Sequence, residues 1–206
     1  MSRAAFLPAL RLASVILVLA AIVAQAVVLA DVGAFDATRF FAFFTIQSNL
    51  IGVAAFVWLL VVGRRPRSRA LELVRGASAV YLTVTFFVVI FLLSGVDVQL
   101  QLVWVDVVLH KIFPVIVVLD WILEPPAARI AARDIVTWLA FPLAWTVLTV
   151  VRGALDGWYP YPFLDPANGG YGQVAVVVVG VLIGFVAIAV AILAIANSRS
   201  RGQATG

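Results

Sequence analysis

Six stretches of roughly twenty mostly apolar residues, 12–29, 40–62, 77–93, 103–123, 135–151 and 174–196, follow one another along a chain of 206 residues with only short polar connections between them. A helix that crosses the hydrocarbon core of a bilayer needs about 20 such residues, and it bonds all of its own backbone polar groups. The chain is 65% hydrophobic, where a globular protein is roughly half apolar. These features predict an all-α, polytopic membrane protein, a bundle of six transmembrane helices. Residues 1–206 form a single domain, because the connections leave no room for a soluble one. The fifth stretch is short and the least secure of the six.

The arginines orient the bundle. Arg3 and Arg11 precede the first stretch, Arg64, Arg65, Arg67, Arg69 and Arg75 separate the second and third, Arg129 and Arg133 follow the fourth, and Arg199 and Arg201 come after the sixth. Only Arg39 and Arg152 lie on the other side, together with Asp31, Asp36, Asp97, Asp156 and Asp165. By the positive-inside rule the expectation is a multi-pass protein of the cell membrane with both termini cytoplasmic. The net charge of +4 is then a topology signal spread over four segments, and no nucleic-acid partner is implied. Ala24-Gln25-Ala26 resembles a signal-peptidase site, but the apolar run before it exceeds the usual 7 to 15 residues of a signal core. Retention of the first helix is therefore expected.

The chain has no cysteine and a single histidine, His110. Disulfides, thiolate metal sites and a cysteine nucleophile are excluded, and a haem or zinc centre lacks its usual ligands. The expectation is a protein without metal or cofactor. Chemistry must come from polar residues inside the spans, where ionisable groups point to function.

Two such groups stand out. The second span opens Phe40-Phe41-Ala42-Phe43-Phe44 and then turns polar at Thr45-Ile46-Gln47-Ser48-Asn49. On a helix Thr45, Ser48 and Asn49 share one face and Gln47 points away from it. In the fourth span Asp106 and His110 stand four residues apart, so the carboxylate can hydrogen-bond the imidazole and set its tautomer. Pro114 leaves the His110 carbonyl without its usual helical donor, which predicts a bend there.

Depth brings the two groups together. At 1.5 Å per residue, Thr45 lies about 8 Å along a second span that starts near Phe40, and His110 about 10 Å along the fourth. A hydroxyl, an imidazole and a carboxylate at one level can act as nucleophile, general base and orienting group, with Ser48 or Asn49 donating to an oxyanion. Such a site opening toward acyl chains would take a membrane lipid or fatty-acyl ester as substrate. The alternatives are a transport or sensing protein that uses Asp106, His110, Lys111 and Asp120 as a polar pathway, and a structural protein whose polar residues only join helices. Asp120 is too deep for the site and is expected to pair with an arginine or line a water cavity. The outward loop with Trp158-Tyr159-Pro160-Tyr161-Pro162 reads as an interfacial aromatic anchor or, alternatively, as a cap over a pocket.

Phe44-Thr45 opening a polar patch in span two, His110 shortly before a proline in span four, and Trp158-Tyr159-Pro160 before span six together resemble the androgen-induced-gene and androgen-dependent TFPI-regulating family, in its bacterial branch. The resemblance covers the chain in topology and three short motifs in residues. Animal members of that family are six-span membrane threonine hydrolases that cleave fatty acid esters of hydroxy fatty acids. The resemblance implies that Thr45 is the nucleophile and His110 its partner in an esterase.

Overall fold

A backbone removed from water must bond to itself, and each apolar stretch does so as a helix. The structure is a computed structural model that describes residues 3–94, 102–127 and 130–202; the topology markers Asp97 and Arg129 lie outside the described residues. Its helices are α1 (Arg3–Asp31), the single turn α2 (Ala37–Phe40), α3 (Phe44–Val62), α4 (Arg69–Phe91), α5 (Val103–Val107), α6 (Phe113–Leu123), α7 (Asp134–Asp156) and α8 (Gly170–Gly202). A π-helical turn, Val108–Ile112, joins α5 to α6, and two 3-10 turns, Pro162–Leu164 and Pro166–Asn168, lie between α7 and α8. The fold is all-α, with no strand among the described residues. Among the described residues, five helices, α1, α3, α4, α7 and α8, are long and apolar enough to cross a membrane. The sixth apolar stretch, 103–123, is helical throughout but is divided by the π turn.

Two boundaries differ from the hydropathy reading for physical reasons. The second span does not run on from Phe40. Asp36 caps α2 by accepting the N–H groups of Thr38 and Arg39, the chain turns extended at Phe43 (ψ 128°), and α3 starts afresh at Phe44. Trp145 Nε1 and Gln47 Nε2 donate to the carbonyls of Ala42 and Phe41, at 2.9 and 2.7 Å, and hold this break. The third span starts at Arg69 rather than near residue 77. Its first two turns carry Glu72 and Arg75, which look like loop until their charged partners, Asp120 of α6 among them, are seen.

Those partners form a buried ionic cluster. Arg11 of α1 donates to Asp120 of α6 at 2.7 Å and to Glu124 just beyond it. Arg75 bonds Glu72 at 2.7 Å and Asp120 at 3.0 Å, and its guanidinium lies over the Trp121 ring. Arg67 bridges Glu72 and Glu124 at 2.7 and 2.6 Å. Asp120 thus pairs with two arginines. Three cations face three carboxylates, and α1, α4 and α6 are tied together where an unpaired charge would be most expensive.

Helix α4 is the hub of the bundle and packs against α3, α6, α7 and α8. Two glycines permit close approaches between helices. A Cβ on Gly76 would lie 2.2 Å from the Trp138 ring of α7, and one on Gly52 would lie 2.8 Å from Phe113 of α6. The second contact presses α3 onto the helix just beyond the π turn.

Candidate functional site

Pro114 shapes the site before any reactive side chain enters. It has no N–H, so the ordinary i to i−4 ladder cannot run across it. The Phe113 N–H instead bonds the Val108 carbonyl, five residues back, which closes the π turn. The Leu109 carbonyl then lacks a helical donor, since Phe113 is already engaged and Pro114 has nothing to give. Asn49 of α3 supplies the missing hydrogen bond at 3.2 Å and bonds the Thr45 carbonyl at 2.8 Å with the same amide nitrogen. The sequence pointed to the His110 carbonyl; the carbonyl that α3 serves lies one residue earlier because the ladder has shifted. Turns of this kind often mark functional sites.

This joint sets Thr45 against His110. Thr45 Oγ1 is 3.1 Å from His110 Nε2, and His110 Nδ1 is 2.7 Å from Asp106 Oδ1. A carboxylate only accepts, so Nδ1 carries the hydrogen and Nε2 presents its lone pair to the Thr45 hydroxyl. Lys111 donates to the other Asp106 oxygen at 3.3 Å. Thr45 and His110 are buried, while Asp106 retains partial exposure. The three residues singled out by depth and spacing therefore form one hydrogen-bonded chain.

The other two polar residues of the α3 face do different work. Ser48 donates to the Thr45 carbonyl at 3.1 Å and touches the Thr85 hydroxyl at 3.4 Å. Asn49 has both amide hydrogens committed to carbonyls. Neither Ser48 nor Asn49 lines the cavity beside Thr45; their hydrogen bonds go to the Thr45 and Leu109 carbonyls. Gln47 is turned away from this face, as its spacing predicted, and serves the break before α3.

Tyr161 is the residue that spacing missed. The loop after α7 folds over the site, and the Tyr161 hydroxyl accepts the Thr45 N–H at 3.3 Å and lies 3.4 Å from Thr45 Oγ1. This is possible because Thr45 is the second residue of α3, where an N–H has no partner within the helix. Phe43 and Phe163 fix the phenol, the first edge-on at 5.7 Å and the second stacked at 5.3 Å between ring centroids. Burial pushes the Tyr161 phenol above its ordinary pKa, against the opposing effect of its hydrogen bonds from Thr45 and Phe44. It stays a neutral donor with its own hydrogen to give. The aromatic motif was visible in sequence, but nothing in its spacing showed which ring turns inward.

A cavity of about 430 Å³ opens beside these groups. Thr45, His110 and Tyr161 form part of its wall, Gln25 of α1 another part, and Asp36, Arg39 and Trp158 stand on the loop side. Arg39 and Arg152 both lie over the Trp158 ring, at 5.5 and 5.2 Å from its centroid. The arrangement offers a hydroxyl with a base on one side, a phenolic donor on the other, and space for a reactant. No known protein family, curated protein or solved structure matches this chain.

Proposed function

We propose that this protein is an intramembrane hydrolase of fatty-acyl esters, with Thr45 as nucleophile, His110 as general base and acid, and Asp106 as the residue that orients His110. The reading is carried by the continuous chain from Thr45 Oγ1 through His110 to Asp106, at 3.1 and 2.7 Å, in the wall of a cavity large enough for a reactant. The same chemistry is what the family resemblance implies.

The steps follow from the geometry. His110 Nε2 takes the Thr45 proton as Oγ attacks the ester carbonyl, and the resulting oxyanion accepts a hydrogen bond from the Tyr161 hydroxyl, which keeps its proton. The bond from carbon to the alcohol oxygen breaks, and His110 returns the proton to that oxygen, which leaves acyl-Thr45 and free alcohol. Water, deprotonated by His110, attacks the acyl carbon; the bond to Oγ breaks, Oγ regains a proton, and a carboxylic acid departs. Asp106 keeps the ring in one tautomer and stabilises the imidazolium formed in each half.

The engagement of Asp120 by Arg11 and Arg75 favours this reading over a polar pathway through the same helix. In the proposed topology both termini are cytoplasmic, the ionic cluster lies toward that side and Thr45 toward the outer surface. Four of the arginines that orient the chain, Arg11, Arg67, Arg69 and Arg75, are paired with carboxylates. Arg64, Arg65 and Arg133 are exposed and keep the same bias. Reporter fusions after Gly63 and after Arg201 should read as cytoplasmic and one at Gly157 as external.

The chemistry is tested by purifying the full chain in detergent and measuring release of 4-nitrophenol from its acyl esters, alongside labelling by a lipophilic fluorophosphonate. Hydrolysis and labelling that both vanish in Thr45→Ala are expected. Activity that survives this substitution would remove Thr45 from the reaction.

A further inference from the structure

Thr45 stands in a wall shared by two cavities of opposite character. Asp36, Arg39 and His110 line the 430 Å³ cavity. On the other side of Thr45, Tyr161 and Leu93 lies a second, enclosed by α3, α4, α7 and α8, about 70 Å³ in volume and lined almost wholly by apolar side chains. His110 lines the first and not the second. The alcohol oxygen must collect its proton from His110, so the alcohol arm of an ester belongs in the polar cavity. The acyl carbon stays bonded to Thr45, and the open space left for its chain is the apolar one.

That space is too small for a long chain. A dry apolar cavity of about 150 Å³ holds a single benzene, so 70 Å³ takes only the first few carbons. Beyond it, sharing Val84, Val88 and Val181 as a common wall, an apolar groove of about 300 Å³ runs between α4 and α8 on the outside of the bundle. Gly180 and Gly184 line this groove, and a Cβ at either would meet nothing within 4 Å. Val84, Val88 and Val181 are the wall between the groove and the apolar cavity, so a chain reaching the groove must part these three side chains.

We infer that the acyl arm of the substrate passes from Thr45 through the apolar cavity, between Val84, Val88 and Val181, into the groove of α4 and α8, while the alcohol arm occupies the polar cavity near Arg39. This rests on the hydrolase reading and adds the direction of each arm. An acyl chain longer than the 70 Å³ cavity can hold is then loaded sideways along α4 and α8, and the alcohol moiety faces Arg39. The groove is thus the chain-length determinant of the site.

The test compares 4-nitrophenyl palmitate with 4-nitrophenyl butyrate on the full chain in detergent micelles, for the wild type, Val181→Phe and Gly184→Leu. Val181→Phe narrows the passage, and Gly184→Leu fills the groove from a position with open space. Each should lower the ratio of palmitoyl to butyryl kcat/KM by about tenfold or more, with retained helicity by circular dichroism. Val147→Leu, on an exposed face of α7 away from the groove, is the control and should keep the wild-type ratio. Equal losses for both esters, or an unchanged ratio in both groove variants, would overturn the assignment of the arms while leaving hydrolysis at Thr45 intact. Wild-type protein that cleaves neither ester would instead overturn the hydrolase reading and the inference with it.

Discussion

Two clusters of polar side chains are buried in this apolar bundle, and they are built on opposite principles. Near one end, Arg11, Arg67 and Arg75 face Glu72, Asp120 and Glu124, and of the cluster's fully buried side-chain atoms Arg75 Nε lacks a partner. Near the other, Thr45, His110, Asp106 and Tyr161 form a chain with a 430 Å³ cavity beside it. The first cluster spends its charges on one another and binds three helices. The second sets an imidazole, a hydroxyl and a phenol against one another in the wall of an open space. The two clusters therefore differ in whether free volume adjoins the buried polar groups.

The comparison predicts that the two clusters fail differently. The largest effect is expected for Thr45→Ala, which should lower ester hydrolysis by about 10⁴-fold, near 5.5 kcal/mol of transition-state stabilisation. Its thermal unfolding, followed by tryptophan fluorescence in detergent, should shift by no more than a few degrees. His110→Ala should match it in rate. Asp120→Ala should do the reverse: it leaves Arg11 and Arg75 short of a partner, so about 3–5 kcal/mol of stability is lost. An Asp120→Ala protein that melts like the wild type would end the contrast between the clusters.

Smaller effects sharpen it. Tyr161→Phe should lower kcat about a hundredfold, near 2.7 kcal/mol, with KM little changed, as removal of a single oxyanion donor does. An effect confined to KM would make Tyr161 part of the cavity wall only. Asp106→Asn should lower the rate by about tenfold, near 1.4 kcal/mol, and so by less than His110→Ala. Equal damage from the two would make Asp106 a direct proton carrier.

The smallest effect concerns acid stability. Burial alone would raise the Glu124 carboxyl, but hydrogen bonding and charge from Arg11, with Arg67 and Arg75, hold it below its usual 4.5. A depressed carboxyl contributes stability that is complete above the unfolded value and is lost as pH falls through the folded one. Melting temperature should therefore drop on acidification below about pH 4.5, and Glu124→Gln should lessen that drop. An identical acid response in the variant would show that other carboxylates set it.

Much of the site was legible because helical spacing is local geometry. Asp106 and His110 are four residues apart, and Thr45, Ser48 and Asn49 share a face whatever the rest of the chain does. Matching depths then placed Thr45 near His110, although the break at Phe43 puts Thr45 in the first turn of α3 and not, as hydropathy suggested, well inside a longer span. The carbonyl partners of Ser48 and Asn49 were not legible. The second acceptor of the Asn49 amide depends on the π turn, which leaves the Leu109 carbonyl for it to bond.

The amino-acid sequence by itself determined that the chain is all-helical and where nearly all of its apolar helices run, since backbone bonding and apolar length are properties of each segment alone. It also determined which residues of one helix lie together. Only the tertiary structure decided that Glu72 and Arg75 belong inside α4, that Tyr161 closes over Thr45, and that a polar and an apolar cavity meet there. Each of these depends on a group from a distant part of the chain: a countercharge, an unpaired N–H at a helix start, or a wall contributed by another helix. Periodicity along one strand of sequence carries no record of such partners.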